Sequence, residues 1–482
     1  MKVPIPLGNG FYQSSSLPIS SQLCTNLYPN YPQSDALSPQ TLLPTPGITL
    51  LDSTTSGEVN RGSIEFGGNP YFVNSFTLYR LDEATDGMGG FIYSSVALGT
   101  IPGTGRISIA KNNTQICIVV PGDTSYIYSV AGGLVTITDA DFDGPADAVV
   151  YIDGYFVFTN GNKFFSSNLN DGTAYDALDF ASAEVDPDNI VAPFVHKNQL
   201  FIFGTETTEV FENVGGTGFP FQRIEGFIID KGLYSQFAIV ETEDTLIFMG
   251  GGTNEQAAIW KLQGATPLKI STTAIDNIIQ KSTAAELSTA FALTYAQNGA
   301  YFASFTFKDD TFVYDSIASG FAQRPIWHKR ESELGSNTVP WRVNDIVRAF
   351  GRLITFDSYD EAVGALEPEI YQEYSTNINR TWSSSPIAAG GDPLFPESLE
   401  VTVQSGASPQ GDVGQLVMSI SKDGGFTYGV QSQRSIGKIG ETGKRLIWDR
   451  LGRYARYFNI KLTYSHNSKL VLIMANLLFP DE

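Results

Sequence analysis

Aspartates at alternate positions of one turn are the residues best suited to hold a metal ion. Asp139, Asp141 and Asp143 precede a glycine, and alternate carboxylates can converge on one calcium ion where glycine permits a sharp turn. The twelfth position of such a loop is Val150, where a bidentate glutamate belongs, and Asp147 replaces it only in part. The alternative is a solvated acidic turn, so calcium is a weak candidate.

A second polar motif lies near the C terminus. Ser421, Asp423, Gly425 and Thr427 match the Asp-box of sialidase propellers, Ser-x-Asp-x-Gly-x-Thr-aromatic. This pattern is typical of a hairpin turn in which the aspartate accepts backbone N–H bonds and glycine adopts positive φ. A glycosidase also needs paired acids in one pocket, and no spacing in the sequence identifies them. We therefore interpret the motif as a structural turn.

Arginines interleaved with aromatic residues form a third candidate site. Arg450, Arg453 and Arg456 recur at a spacing of three, and Arg445 precedes them. The surrounding stretch, residues 434–461, holds eight bases against two acids. A cationic surface of this kind could contact an acidic protein or nucleic acid, or it could be a solvated strand edge. We take these four arginines as candidate interface residues.

No group of residues indicates catalysis or a cofactor. The three histidines, His196, His328 and His466, lie far apart and have no Cys, His or Asp at metal-ligand spacing. The sequence has no Gly-x-Ser-x-Gly elbow. The Gly-x-Gly at Gly103 precedes an expected strand rather than a helix, so it does not fit a phosphate-binding loop. The sequence predicts a non-enzymatic protein without a bound cofactor.

Composition favours a folded protein that is rich in strands. Of the 482 residues, 42% are apolar and 17% are charged, whereas disorder needs the opposite balance. The chain contains 47 glycines, and 12% of its residues are aromatic, which favours strands and tight turns over helices. These features predict an all-β fold with a sizeable core.

The charge is strongly negative and unevenly distributed. The net charge is −21, and because proteins that grip phosphates need a positive surface, tight non-specific binding of nucleic acid by the whole chain is not expected. Residues 1–380 hold 42 acids and 20 bases, whereas residues 381–482 hold nine acids and ten bases. The sequence thus predicts an acidic body joined to a nearly neutral C-terminal unit.

The ends of the chain and its cysteines indicate a reduced, soluble protein. Cys24 and Cys117 lie in apolar surroundings, which predicts two buried thiols rather than a disulfide. The first residues, MKVPIPLGNGFYQSSS, lack the apolar core of a signal peptide. The apolar run Val471 to Phe479 is about half of the ~20 residues that a membrane-spanning helix needs.

A repeated unit organises the middle of the chain. Each unit has a turn with Gly, Asn or Asp followed by a strongly apolar strand, and the anchors recur 45, 41, 44, 46, 55 and 52 residues apart. A period of 40 to 55 residues is typical of β-propeller blades. Seven anchors predict about seven blades, with six possible if one unit is irregular, and an open repetitive sheet is the alternative. The anchors are GNPYFV from Gly68, NTQICIV from Asn113, GYFVF from Gly154, NQLFIF from Asn198, DTLIFM from Asp244, GAYFASF from Gly299 and GRLITF from Gly351.

Three regions follow from this pattern. Residues 1–58 are rich in proline, which predicts an extended N-terminal arm ending in a first strand. Residues 59–380 contain the repeat and are assigned to the propeller, with one helical insertion from Thr273 to Ala290. Residues 381–482 begin with a Ser/Pro/Gly-rich linker and continue as alternating strands, which predicts a small β-sandwich-like domain.

A series of short phrases, in this order, resembles the packaged-DNA stabilisation proteins of short-tailed bacteriophages, also called tail hubs, tail nozzles or tail accessory factors. No single phrase is specific, but their order over about 400 residues is. The phrases are NLYP from Asn26, PGIT from Pro46, Arg61-Gly62, GTGRISIA from Gly103, FGTETTEVFE from Phe203, Lys231-Gly232, TFVYD from Thr311 with Trp327 after it, SKDGGFTYG from Ser421 and WDRLGR from Trp448.

The resemblance implies a structural virion protein. Such a protein would form a homo-oligomeric ring, six-fold, below the portal and its adaptor, and it would close or extend the DNA exit channel. It would contact the portal and adaptor proteins, tail fibres, spikes or a needle, and double-stranded DNA passing through without sequence-specific binding. Its place would be the virion tail, assembled in the cytoplasm of the bacterial host.

Two other functions compete with this hypothesis. A glycan-binding or sialidase-like propeller would need a pocket on the propeller axis with convergent arginine and acidic side chains. A calcium-dependent or other interaction module would need the aspartates of residues 139–147 to converge. Both alternatives can therefore be judged from where the structure places these side chains.

Overall fold

The first 53 residues form six short strands that are shared among different parts of the molecule. The computed structural model describes residues 1–55, 57–182, 189–215, 218–243 and 245–480. The N-terminal strands are β1 (Lys2–Ile5), β2 (Tyr12–Gln13), β3 (Ser21–Thr25), β4 (Leu27–Asn30), β5 (Thr41–Pro44) and β6 (Gly47–Ser53).

Four consecutive antiparallel sheets of four strands follow, and they are blades 1–4 of a β-propeller. In each blade the chain moves outward from one strand to the next. Blade 1 comprises β7 (Asn60–Phe66), β8 (Asn69–Asn74), β9 (Thr77–Thr85) and β10 (Phe91–Thr100); blade 2, β11 (Ser108–Lys111), β12 (Gln115–Val119), β13 (Ser125–Ser129) and β14 (Gly133–Thr136); blade 3, β15 (Ala148–Ile152), β16 (Tyr155–Asn160), β17 (Lys163–Asn168) and β18 (Asp171–Ser182); and blade 4, β19 (Ile190–His196), β20 (Gln199–Gly204), β21 (Thr208–Asn213) and β22 (Phe221–Ile229).

Blades 5–7 are less regular and include three helices. Blade 5 comprises β23 (Gly232–Leu233), β24 (Ile239–Thr242), β25 (Thr245–Gly251), β26 (Ala258–Gln263) and β27 (Thr266–Lys269), followed by α1 (Thr273–Ile279) and α2 (Ala284–Ser288); blade 6, β28 (Phe291–Gln297), β29 (Ala300–Phe307), β30 (Asp310–Asp315), α3 (Ser316–Ala322), β31 (Trp327–Leu334) and β32 (Asn337–Pro340); and blade 7, β33 (Val343–Ala349), β34 (Arg352–Asp357) and β35 (Ala362–Glu367).

The ring of blades closes through a strand from the N-terminal segment. The innermost strands of successive blades lie side by side, and β33 of blade 7 packs against β7 of blade 1. The fourth strand of blade 7 is β6, which pairs antiparallel with β35 from Gly47 opposite Glu367 to Ser53 opposite Ala362. The predicted propeller is confirmed, and it has seven blades rather than six.

The second strand of each blade is apolar along its length because neighbouring blades cover both of its faces. In blade 3, Phe156, Val157 and Phe158 of β16 are all 0% exposed. The preceding turn places Asp153 at φ 50° and Gly154 at φ 95°, a left-handed pair that aspartate and glycine adopt readily. The turn and the apolar strand of a blade are therefore specified by neighbouring residues in the sequence. The first residue of the fifth anchor, Asp244, lies outside the described residues.

The C-terminal region is a β-sandwich of two sheets, as predicted. The strands that follow blade 7 in the chain are β36 (Gln372–Glu373), β37 (Thr376–Asn377), β38 (Asn379–Ser383), β39 (Ile387–Ala388), β40 (Ser398–Val403), β41 (Gln415–Ser421), β42 (Ser432–Ser435), β43 (Leu446–Asp449), β44 (Tyr457–Ser465) and β45 (Leu472–Leu478). The core between the sheets includes Leu399, Trp448 and Phe458. One sheet has the order β4-β5-β45-β40-β43, with β1 also paired to β45, and the other has the order β3-β38-β44-β41-β42, with β39 paired to β44. Strands β36 and β37 instead extend the sheet of blade 7 beyond β6.

Strand β3 joins the propeller to the sandwich. It lies between β31 of blade 6 and β38, so one sheet continues from one part into the other. Asn26, at φ 55° and 1% exposed, follows β3. Its side-chain amide donates to the carbonyls of Glu331 (3.0 Å) and Asn379 (2.7 Å). Because the chain crosses between the two parts in this way, the boundaries at residues 58 and 380 stay predictions.

The helical insertion expected between residues 273 and 290 is two short helices. The second, α2, begins with a capping box in which Thr283 and Glu286 bond to each other's backbone N–H groups. Helix α3 lies outside the predicted insertion; it begins at the N-cap Asp315, whose side chain accepts from the N–H of Ala318 (2.8 Å). Among the described residues, no helix has the length and hydropathy needed to cross a membrane.

Candidate functional site

The aspartates of residues 139–147 do not converge on one point. Asp139 accepts the backbone N–H of Asp141 (2.9 Å), Asp143 contacts the Lys163 ammonium (3.7 Å), and Asp147 accepts the N–H of Gly161 (3.3 Å). Within the described ranges, no group of three or more His, Cys, Asp and Glu side chains is placed to hold a metal ion. The geometry is that of an acidic connection between blades 2 and 3.

The Asp-box forms a turn at the end of β41. Asp423 accepts the Oγ–H of Ser421 (2.7 Å) and both the N–H (3.0 Å) and the hydroxyl (2.5 Å) of Thr427, and these bonds hold the pKa of its carboxyl below the usual range. Gly424 and Gly425 lie at positive φ, and a Cβ on either would meet Pro18 or Ser21 of the N-terminal segment within 3 Å. The turn therefore supports that segment.

The three histidines lie in different environments. His196 of β19 contacts Glu241 through Nδ1 (2.9 Å). His328 of β31 is 0% exposed between the rings of Tyr28 and Phe302, and neither of its ring nitrogens has a hydrogen-bond partner. Burial lowers the pKa of His328 to about 3, so this imidazole is neutral.

The third histidine belongs to an Asp–His–Ser chain that sequence spacing did not indicate. His466 Nε2 lies 3.1 Å from Asp412 Oδ1, and its Nδ1 lies 2.9 Å from Ser468 Oγ. Ser468 is 3% exposed, however, and its oxygen also contacts the hydroxyls of Tyr464 (2.5 Å) and Ser408 (3.3 Å). A nucleophile must reach its substrate, and Ser468 is buried. The Asp412 side chain is 82% exposed, and Nε2 of His466 has no hydrogen-bond partner, so these three residues are not arranged as a catalytic triad.

The central channel of the propeller is crossed by one arginine. Arg106 precedes the inner strand of blade 2, and its guanidinium lies 5.1 Å from the ring centroid of Phe237 and 4.5 Å from that of Phe291, at the inner strands of blades 5 and 6. It also donates to Asn344 in blade 7. Because blades 5 and 6 lie opposite blade 2 in a seven-bladed ring, this side chain reaches across the axis, where a sialidase-like pocket would have to lie.

Both cysteines are buried free thiols. Cys24 lies in β3 and Cys117 in β12, and each is 0% exposed. Burial raises the pKa of both thiols above the ordinary value, so neither is a reactive thiolate.

The four candidate arginines divide into two environments. Arg445 pairs with Glu400 of the same sheet (2.8 Å). Arg450, Arg453 and Arg456 are exposed in the loop between β43 and β44. We call these three the arginine face.

The loop that carries the arginine face is fixed by its neighbours. It bonds through Tyr454 to Leu394, and the two backbones exchange N–H···O bonds of 2.9 and 2.8 Å. Arg453 stacks over Phe395 (5.2 Å), which is 49% exposed. The sandwich therefore presents these arginines on an ordered surface.

The fold places the chain among proteins with a β-propeller followed by a β-sandwich, and two family models make the assignment more specific. The model described as bacteriophage P22 Gp10, beta-propeller, matches residues 1–371, and the model described as bacteriophage P22 Gp10, beta-sandwich, matches residues 367–477. The chain belongs to the bacteriophage P22 Gp10 family, which confirms the resemblance to phage packaged-DNA stabilisation proteins.

A curated relative and two solved structures are also similar. The relative is tail hub protein gp10 of Salmonella phage P22, 22% identical over 400 residues, which are 80% of this chain and 82% of the relative. The N-terminal domain of Nup159 has a TM-score of 0.42 at 9% identity over 72% of this chain and 99% of its own. PorZ of Porphyromonas gingivalis has a TM-score of 0.38 at 10% identity over 80% and 46%. With TM-scores below 0.5, neither structure adds to the assignment.

Proposed function

We propose that the chain is the tail hub of a short-tailed bacteriophage. It forms a six-fold ring below the portal and its adaptor, closes or extends the DNA exit channel, stabilises packaged DNA, and docks fibres, spikes or a needle. The observation that carries this proposal is the match of both P22 Gp10 family models, in order, across residues 1–477. The protein would act in the virion tail after assembly in the host cytoplasm.

Two physical features support a structural role. Strand β3 and Asn26 tie the propeller to the sandwich through backbone pairing, which suits a rigid ring subunit. The chain carries a net charge of −21, and an acidic wall repels DNA, so a polyanion would slide past rather than bind. The arginine face is then the surface that contacts a neighbouring protein.

The proposed hub acts without catalysis. Arg106 reaches across the propeller axis, and Ser468 of the Asp–His–Ser chain is buried, so the two arrangements most similar to an enzyme site do not present reactive groups to a substrate. A fluorogenic sialoside assay tests this part of the proposal; turnover above the buffer blank would contradict it.

Imaging tests the ring directly. The purified protein would be examined by negative-stain electron microscopy, alone and mixed with its cognate portal–adaptor complex. We expect hollow six-fold rings, either alone or only on the portal. Compact monomers that do not bind the portal–adaptor complex would contradict the proposal.

A further inference from the structure

Within the part of the chain that the structure describes, the arginine face has no acidic partner. Arg450, Arg453 and Arg456 form no ion pair among the described residues, although Asp449 is adjacent to Arg450 in the chain and the backbone of Glu397 lies beside it in the fold. The backbone N–H of Arg450 bonds to the carbonyl of Glu397 (2.9 Å), not to its carboxylate. Stacked arginine beside an exposed aromatic ring is a pairing enriched in protein interfaces. The partner surface should therefore be acidic.

A complementary surface lies on the propeller of the same chain. Asp123, in the turn between β12 and β13, bridges to Ala146 and so lies beside the acidic connection between blades 2 and 3. Asp123, Asp141 and Asp143 are exposed. We call these three residues the aspartate face; among the described ion pairs, the base that contacts it is Lys163, 3.7 Å from Asp143.

We propose that the arginine face of one subunit docks on the aspartate face of a second copy of this chain. The inference rests on the proposed function, because it names the surfaces through which the tail-hub ring would form. The argument is charge complementarity: each face holds three exposed side chains of one sign. Among the described ion pairs, the arginine face has no acidic contact, and the aspartate face has one basic contact, between Asp143 and Lys163.

The two faces determine the kind of assembly. They are different patches on one chain, so contacts between copies run head to tail, and a head-to-tail contact that closes makes a ring rather than a two-fold dimer. DNA is the less favoured partner of the arginine face, because three arginines beside an exposed phenylalanine form a small patch on a chain with net charge −21.

Charge reversal on each face tests the inference. The first variant is Arg453→Glu with Arg456→Glu, and the second is Asp123→Lys with Asp141→Lys. The matched controls are Lys281→Glu with Lys438→Glu, and Asp35→Lys with Asp309→Lys, because these side chains are exposed and belong to neither face. Circular dichroism and melting temperature verify folding, and mass photometry with the portal–adaptor complex measures ring formation.

Each variant alone should lose rings, whereas an equal mixture of the two should regain them. In the mixture every contact joins an acidic patch to a basic one, so alternating rings can close. Rings should also dissociate in high salt, where the screening length falls to about 3 Å at 1 M. Both control variants should assemble like the wild type.

The outcomes separate this inference from the proposed function. Absence of rings from the wild type overturns both. Wild-type rings together with normal assembly of either face variant, or a mixture that fails to restore rings, overturns the inference alone. A third outcome concerns DNA: the wild type binds a fluorescent DNA duplex, and the arginine-face variant loses this binding but still forms rings. That result would assign the arginine face to DNA and would also overturn the inference.

Discussion

Blades 1–4 and blades 6–7 are built from the same strand order, but their outer edges differ. Each of the first four blades is complete within one continuous segment, the longest being Asn60–Thr100, and ends in an outer strand that pairs on one side. In blade 7 the fourth strand is β6, about 300 residues earlier in the chain, and it pairs onward to β36, whereas β31 of blade 6 pairs onward to β3. Closure of the propeller and attachment of the sandwich therefore depend on one N-terminal segment.

Removing that segment should have the largest effect. Deletion of residues 1–53 removes the fourth strand of blade 7 and five strands of the junction and sandwich, so we expect no soluble, cooperatively melting protein. Deletion of residues 1–19 keeps β3–β6 and should yield a folded but less stable protein. Soluble yield and calorimetry measure both effects. If the protein without residues 1–53 melted at the same temperature as the wild type, the role assigned to the segment would be contradicted.

A buried arginine should come next. Arg330 is 0% exposed, donates to the carbonyl of Pro46 just before β6 (2.9 Å), stacks on Trp341 (3.7 Å), and lies 3.9 Å from the buried carboxylate of Glu373. Arg330→Met should cost about 3–5 kcal/mol because it leaves a buried charge without its partner.

The double variant Arg330→Met with Glu373→Leu is the control for that prediction. It removes both charges, so it should recover much of the loss. Urea unfolding measures the series. Equal stability of the single variant and the wild type would show that the pair does not secure blade 7.

A single methyl group on the closing strand pair should have a moderate effect. A Cβ at Gly364 of β35 would lie 2.4 Å from Ile48 of β6 and 2.9 Å from Tyr374, so Gly364→Ala should destabilise by about 1–3 kcal/mol through overpacking. Gly320→Ala in α3 is the control, because a Cβ there meets nothing within 4 Å. The midpoints of unfolding are compared for the two variants. If Gly364→Ala left the midpoint unchanged, tight packing between β6 and β35 would be refuted.

Lowering the pH just below neutrality should reduce the free energy of unfolding by a smaller amount, through His328 in blade 6. Burial lowers the pKa of His328 to about 3, whereas an unfolded histidine titrates near 6.5. The stability contributed by the neutral imidazole is therefore complete above about pH 6.5 and falls by about 1.4 kcal/mol per pH unit below it. His328→Leu should flatten this part of the pH profile. An unchanged slope between about pH 6.5 and about pH 5 would contradict the assignment.

The predictable part of the fold is the part encoded locally. A turn with glycine or asparagine and an apolar strand such as β16 lie within a few residues, so seven anchors indicated seven blades. The pairing of β6 with β35 and of β3 with β38 joins residues more than 300 positions apart. No spacing pattern reports such contacts, which is why the arm was predicted without its partners.

The same distinction applies to the sites. The Asp-box is a local feature, because Ser421, Asp423 and Thr427 bond to one another within one turn, so its sequence pattern is sufficient to suggest it. The crossing of the axis by Arg106 and the contact of Asp412 with His466 depend on how distant strands pack. Helix α3 has a local signal, the N-cap Asp315, but this residue also ends strand β30, so the strand pattern around it hides the start of the helix.

Genome retention tests the central claim most directly. Particles would be produced with and without this chain, and the DNA protected from nuclease inside each head would be quantified. If the protein is a tail hub that stabilises packaged DNA, heads lacking it should package DNA and then lose it, and adding the purified protein to fresh heads should prevent the loss. Heads that retain their genome equally well without it would contradict the account.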